Sequence, residues 1–281
     1  MALAGCGAGE QDTAADGRLQ VSASFYPMAE FARAVGGSRA AVRTVVPDGL
    51  EPHDWEPAPR DLTFLGRSRV FIYNGMVEPW AVQALTALSE RGILAVECGA
   101  GLYLRPDGKT DPHVWVSPKK AIIQVRRVCD AFCRADEQYA AEYRRNAEAY
   151  LSELRRLDAG FAALAAKART KKFVTAHAAF GHLAADYGLQ QLAIAGVSPE
   201  AEPTAADMQQ LARLMRQEKL RYIFMETLAT PRLTETLAKE AGAQVLVLDP
   251  AEGVDADGRA AGLTYIKIME QNLRNLEKAL M

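Results

Sequence analysis

The 281-residue sequence has little that would mark a nucleic-acid-binding or membrane-spanning protein. Its formal net charge is −2, whereas surfaces that bind nucleic acid are usually strongly basic. No apolar run approaches the ~20 residues needed to cross a bilayer. Apolar residues make up 49% of the chain and charged residues 24%, as in ordinary globular proteins. The length and composition therefore predict a water-soluble protein with one large or two medium domains.

Cysteine is also scarce, since the chain contains four and none forms a CxxC pair. This spacing excludes a zinc finger of the usual kind. Cys129 and Cys133 are four residues apart on a predicted helix, where free cysteines usually behave as small buried hydrophobic residues. A disulfide with Cys98 stays open, because the sequence alone does not establish the required geometry.

The fourth cysteine, Cys6, lies in an amino-terminal segment without hydrophobic periodicity. Residues 3–6, Leu-Ala-Gly-Cys, resemble a bacterial lipobox, in which a peptidase cuts before a cysteine that carries lipid. We therefore predict lipidation at Cys6 and a flexible tether over residues 1–17. The alternative is an unstructured terminus with a chance cysteine.

From residue 20 onward, short β-rich runs alternate with helical patterns, many of which end at glycine. Such repeated β–α units predict parallel sheets covered by helices. Between them, residues 137–168 repeat apolar side chains at spacings of three and four, which predicts one helix ~48 Å long. We therefore predict an α/β protein with two Rossmann-like lobes, residues 18–136 and 169–281, joined by this long helix. Gly160 lies inside the helix and is expected to weaken or bend it.

The chain has only four histidines, and three of them lie near the predicted ends of strands. His53 occupies a proline-rich turn, His113 precedes a helix, and His177 and Asp249 each follow a strand. Ligand sites in open α/β sheets gather at the carboxyl ends of strands. At least 60 residues separate neighbours in this set, which suits separate loops that converge in a cleft. Three imidazoles and one carboxylate form a suitable tetrahedral shell for zinc.

Each of these residues also has an ordinary structural explanation. A single loop histidine is more often exposed or hydrogen-bonded than metal-bound, and Asp249 before a proline is typical of a turn. Glu226, at the end of another strand, either pairs with an arginine or lies beside the metal. His182 does not share a helix face with His177, so we expect it beside the site or on the surface.

Seven segments, in order, resemble the zinc and manganese solute-binding proteins of bacterial ABC importers. They are SFYPMAEFA, PDGLEPHDWEPAPRD, FIYNGMVEPW, DPHVWVSP, TAHAAFGHLAADYGL, EAEPTAADM and VLVLDP. The similarity extends from about residue 20 to the end. The family fold, two α/β lobes bridged by a long rigid helix, agrees with the pattern of predicted elements.

The resemblance implies that His53, His113 and His177 are the nitrogen ligands and Asp249 the carboxylate ligand of a metal. Histidine at the third position favours zinc over manganese, although manganese stays an alternative. The resemblance further implies a monomeric, non-enzymatic receptor that is lipid-anchored or periplasmic and delivers metal to a membrane permease. A zinc hydrolase is the main rival, but the chain has no HExxH motif or nucleophile elbow. Adhesion is sometimes attributed to the family, and nothing in these residues argues for it.

Overall fold

The computed structural model describes residues 17–105, 108–197, 204–228 and 231–281. These residues form two four-stranded parallel sheets with flanking helices, so the predicted α/β fold with two lobes is confirmed. The exact domain boundaries stay a prediction. Cys6 and its predicted lipidation lie outside the described residues.

The first lobe is built on a sheet with the strand order β2-β1-β3-β4. Its strands are β1 Leu19–Ala23, β2 Ala40–Thr44, β3 Val70–Tyr73 and β4 Leu94–Glu97. The helices that connect them are α1 Tyr26–Gly36, α2 Pro59–Leu65 and α3 Trp80–Ala87. All four residues of β3 are buried, as expected for a central parallel strand that is covered on both faces.

The middle of the chain consists of α4, Pro118–Ala135, and the long helix α5, Ala140–Lys167. One 3-10 turn, Glu137–Tyr139, precedes α5, so the predicted long helix is confirmed with a slightly later start. Gly160 does not interrupt the helix. A Cβ atom at Gly160 would lie 2.7 Å from Leu273, which shows that glycine here permits close packing of the carboxyl-terminal helix.

The second lobe repeats the first arrangement, with the strand order β6-β5-β7-β8. Its strands are β5 Lys172–Thr175, β6 Gln190–Ala193, β7 Tyr222–Met225 and β8 Gln244–Val247. Its helices are α6 Gly181–Tyr187, α7 Ala205–Gln217, α8 Arg232–Ala241, α9 Ala256–Ala260 and α10 Tyr265–Leu280. The short α9 has no counterpart among the predicted elements.

The main hydrophobic core continues from the first lobe into the second. Phe31 of the first sheet's helix layer, Phe161 of α5 and Phe173 of β5 all belong to it. A smaller core lies on the other face of the second sheet, under α7 and α8. The lobes are therefore joined by packed side chains as well as by α5. Among the helices of the described residues, none combines the length and apolar character that a membrane crossing requires.

Candidate metal centre

Four side chains from both lobes converge in the cleft. His53 lies in the loop between β2 and α2, and His113 directly precedes the 3-10 turn Val114–Val116. His177 follows β5, and Glu252 lies in the loop after β8. In the described part of the chain these four offer ligand atoms that all lie within 4.8 Å of one another. Loops at the carboxyl ends of parallel strands supply most of this cluster, as expected for α/β folds.

The ligand atoms are three imidazole nitrogens and one carboxylate oxygen. His113 Nε2 lies 3.1 Å from His53 Nε2 and 3.3 Å from His177 Nε2. Glu252 Oε1 lies 3.3 Å from His113 Nε2 and 3.5 Å from His53 Nε2. Its distance to His177 Nε2 is 3.8 Å. Zinc binds nitrogen and oxygen at about 2.0–2.1 Å, so the edge of a tetrahedral zinc site is about 3.3 Å. The cluster has the size of such a site.

His113 is held from behind by Asp111. One oxygen of the Asp111 carboxylate lies 2.8 Å from Nδ1 of His113 and 3.0 Å from its backbone nitrogen. A carboxylate only accepts hydrogen bonds, so both nitrogens of His113 donate. The proton of a neutral His113 therefore lies on Nδ1, and the Nε2 lone pair points into the cluster.

His177 has a matching support on the second lobe. Its backbone nitrogen donates to Glu226 Oε1 at 3.0 Å, and its Nδ1 lies against Glu226 Oε2. Glu226 directly follows β7, the neighbour of β5 in the sheet, so sheet topology brings the two residues together. Glu226 thus faces the far side of the imidazole ring, and we describe it as a support for His177.

These supports leave two buried lone pairs facing each other across 3.3 Å, on His113 and His177. A bound cation, either a proton or a metal ion, removes the repulsion between them. Burial lowers the pKa of His113, but the Asp111 and Glu252 carboxylates outweigh it and raise the value to about 9. Burial likewise raises the pKa of Glu252, but its imidazole partners hold it well below the usual range. Both shifts favour a protonated His113 at neutral pH in the metal-free protein.

The structure does not bring Asp249 into this cluster. Its carboxylate accepts hydrogen bonds from Thr227 Oγ1 at 2.7 Å and from the backbone nitrogen of Ala251 at 2.7 Å. Its own backbone is held by Asn272 of α10. The carboxylate beside the three imidazoles belongs to Glu252 instead. Asp249 braces the turn that presents Glu252, which fits the turn-forming role that the sequence left open for it.

Glu252 was missed because its position depends on backbone geometry that no spacing rule supplies. The preceding residue, Ala251, has a φ of 57°, a left-handed conformation that costs a non-glycine residue on the order of 1–3 kcal/mol. The hydrogen bond from Ala251 to Asp249 helps to hold it, and Pro250 accepts a hydrogen bond from Trp115 across the cleft at 2.7 Å. The available signal was a second acidic residue in the same loop.

His182 lies beside the site and is fully buried. Its ring contacts Lys120 and the backbone of Asp111 rather than the four ligand atoms.

The three described cysteines, Cys98, Cys129 and Cys133, are free and buried. Cys129 and Cys133 belong to the main hydrophobic core, as predicted, and the three cysteines are unpaired in this structure.

The protein has two α/β lobes with parallel sheets, a continuous helix that bridges them, and a donor cluster of the size of a metal site between them. These features define a cleft-type binding protein. A sequence profile of the family described as zinc-uptake complex component A, periplasmic, matches residues 21–279. The chain belongs to this family. The resemblance stated from the sequence motifs is confirmed.

Several relatives are similar over most of the chain. The high-affinity zinc uptake system protein ZnuA of Bacillus subtilis is 33% identical over 301 residues, which cover 100% of this chain and 94% of that protein. The zinc-binding lipoprotein AdcA of Streptococcus pneumoniae serotype 4 is 36% identical over 281 residues, or 94% of this chain and 56% of AdcA. The chain thus spans little more than half the length of AdcA.

Solved structures show the same fold. The Zn(II)-bound ZnuA-like domain of Streptococcus pneumoniae AdcA matches with a TM-score of 0.85 at 37% identity, covering 94% of this chain and 99% of that domain. The laminin-binding protein Lmb of Streptococcus agalactiae, described as having adhesin and metal transporting activity, matches with a TM-score of 0.86 at 27% identity, covering 94% and 100%.

Proposed function

We propose that the protein captures zinc in the cleft between its lobes and delivers it to an ABC-type importer. The observation that carries this proposal is the convergence of three imidazole nitrogens and one glutamate oxygen at the spacing of a tetrahedral zinc shell. We infer that His53, His113, His177 and Glu252 are the ligands. Zinc is the cargo of this site, and the relatives named as zinc-binding and zinc uptake proteins support this choice.

The donor set favours zinc over manganese. Imidazole suits zinc, whereas manganese prefers carboxylate, carbonyl and water oxygens. A shell of three nitrogens and one oxygen therefore disfavours manganese. Four protein ligands also fill a tetrahedral shell, while catalytic zinc sites usually keep one position open for water. This argues for a binding role over the hydrolase considered from the sequence.

The family supports a proposal for the partner and the location. Its members are described as periplasmic components of a zinc-uptake complex, and relatives are named lipoproteins. We propose that this chain acts as a monomer outside the cytoplasmic membrane, anchored through lipid on Cys6, and transfers zinc to a membrane permease. Whether the protein is periplasmic or lipid-anchored, this proposal places it outside the cytoplasmic membrane.

Metal binding is expected to change the relative position of the lobes only slightly. The helix α5 contacts α1 and α4 on one side and α6 and α10 on the other. The main core is continuous across the same region, and packed cores resist continuous deformation. Release therefore requires the permease to bind a metal-free or open form more tightly than the closed one.

The proposal is tested by metal analysis of the purified protein, followed by competitive titration of the stripped protein with zinc and manganese. We expect about one zinc ion per chain, retained in excess manganese, because the shell is nitrogen-rich. Tighter binding of manganese would keep the receptor and reverse the metal preference. The absence of stoichiometric metal by both routes would overturn the proposed function.

A further inference from the structure

His182 is held in one protonation state by its two hydrogen-bond partners. Nδ1 of His182 lies 2.8 Å from Nζ of Lys120, and Nε2 lies 3.0 Å from the backbone carbonyl oxygen of Asp111. An ammonium group only donates and a carbonyl oxygen only accepts. His182 must therefore accept at Nδ1 and donate from Nε2, which requires the neutral ring with its proton on Nε2.

These two hydrogen bonds connect the lobes. Lys120 lies in the first turn of α4 and Asp111 precedes His113, both in the first lobe, whereas His182 lies on α6 of the second lobe. Asp111 is also the residue whose carboxylate holds Nδ1 and the backbone nitrogen of His113. Its own backbone nitrogen donates to Leu104 at 2.9 Å. His182 thus completes the attachment of Asp111 from the opposite lobe.

Further contacts hold α6 against the start of α4. Ser117 Oγ donates to the Asp186 carboxylate, and Lys120 Nζ lies 3.3 Å from the same group. Gly181 permits the approach, since a Cβ atom at this position would lie 2.5 Å from Asp111 Oδ2. These contacts join the start of α4 in the first lobe to α6 in the second lobe.

We propose that His182 is a positioning residue for zinc capture, which orients His113 through Asp111 and keeps it opposite His177. The proposal rests on the proposed function. His177 lies only four residues before α6, so the hydrogen bond from His182 to Asp111 links two segments that each carry a proposed ligand, one from each lobe. Residues that support a metal ligand from behind change metal affinity without touching the ion.

The test compares zinc affinity and the visible spectrum of the cobalt-substituted protein in wild type and His182→Phe. Phenylalanine keeps a ring in the buried space but makes neither hydrogen bond. We expect zinc affinity to fall about ten- to a hundredfold, as for other residues behind metal ligands. The cobalt bands should shift, because His113 no longer points at the ion in the same way.

Three further variants distinguish positioning from general loosening of the interface. Lys120→Met removes the donor to Nδ1 of His182 together with the ion pair to Asp186, and it should weaken zinc binding in the same direction. His182→Gln keeps an N–H donor and an oxygen acceptor, so it should recover most of the affinity and the cobalt spectrum. Lys119→Met is the matched control, because Lys119 reaches the Asp186 backbone oxygen at 2.8 Å across the same interface without touching His182.

Wild-type affinity and an unchanged cobalt spectrum in His182→Phe would overturn the inference while leaving the proposed function intact. Equal losses in Lys119→Met and Lys120→Met would also overturn it, because they would indicate loosening of the interface. If His182→Phe fails to fold, unchanged zinc binding in Lys120→Met is the decisive negative result. A wild-type protein that binds no zinc would overturn the proposed function itself.

Discussion

The candidate metal site has a deep part and a rim part, and they are constructed differently. His113 and His177 are almost fully buried, and each has a carboxylate behind its Nδ1 atom. The side chain of His53 is 10% exposed, and its ring contacts the cluster and Glu51 from a loop between elements. The deep imidazoles are therefore held in place without metal. Of the three proposed imidazole ligands, we expect His53 to move most easily to admit or release the ion.

The largest expected loss of zinc affinity comes from removing a single imidazole, either from the deep part or from the rim. Four ligands that share the ~10–16 kcal/mol of a structural zinc site contribute about 3–4 kcal/mol each, which is roughly a hundred- to a thousandfold in Kd. His113→Ala should reach the upper end, because it removes an oriented ligand. His53→Ala should reach the lower end, because water can enter at the rim. Competition with a zinc-sensitive dye measures both, and equal losses would contradict the distinction between the two parts.

The second comparison sets Glu252 against Asp249. Glu252→Gln should weaken zinc binding roughly a hundredfold, because a neutral amide is a poor replacement for a buried carboxylate ligand. Asp249→Asn should change the affinity little, since an amide oxygen can still accept the hydrogen bond from Ala251. The same dye competition decides the order, and a larger loss in Asp249→Asn would assign the ligand role to Asp249 instead.

A smaller effect is expected from the support behind His113. Asp111→Asn should lower zinc affinity about ten- to a hundredfold, because the Nδ1 proton of His113 loses its charged acceptor. The cobalt spectrum should keep its tetrahedral intensity while its bands shift. Asp207→Asn is a control of the same chemical type, since Asp207 caps α7 at the surface, and it should leave both readouts unchanged.

The smallest expected effect is the change in zinc affinity per pH unit. The pKa of His113 is raised from 6.5 to about 9 in the metal-free protein, so zinc must displace a proton below pH 9. Zinc affinity should therefore rise by up to about tenfold per pH unit toward this value.

The stability of the metal-free protein should change in the opposite direction. Protonation of His113 contributes to the free energy of unfolding, because the folded state binds the proton more tightly. This contribution is fully present below pH 6.5 and is lost as the pH rises through about 9. Thermal unfolding and zinc competition over the same pH series measure the two trends. Zinc affinity that is flat between pH 6 and 8 would contradict this assignment.

The order of strands and helices could be predicted from sequence because it depends on local patterns. Short β-rich runs that alternate with helical patterns predicted both sheets, and the apolar spacing over residues 137–168 predicted the long helix. The short helix α9 escaped this approach. Its five residues carry no apolar repeat, and its one local sign is the capping aspartate Asp255.

By itself, the sequence determined the α/β class, the two-lobe repeat, the long helix and the three histidines that meet in the cleft, because strand ends place their loops at one edge of a sheet. Only the tertiary structure shows that Glu252, and not Asp249, lies beside the imidazoles. The two are three residues apart in one loop, and the left-handed turn at Ala251 selects which carboxylate faces the imidazoles. Likewise, only the contact of α6 with α4 brings His182 to Asp111, since hydrogen bonds between distant segments depend on packing and leave no periodic pattern in the chain.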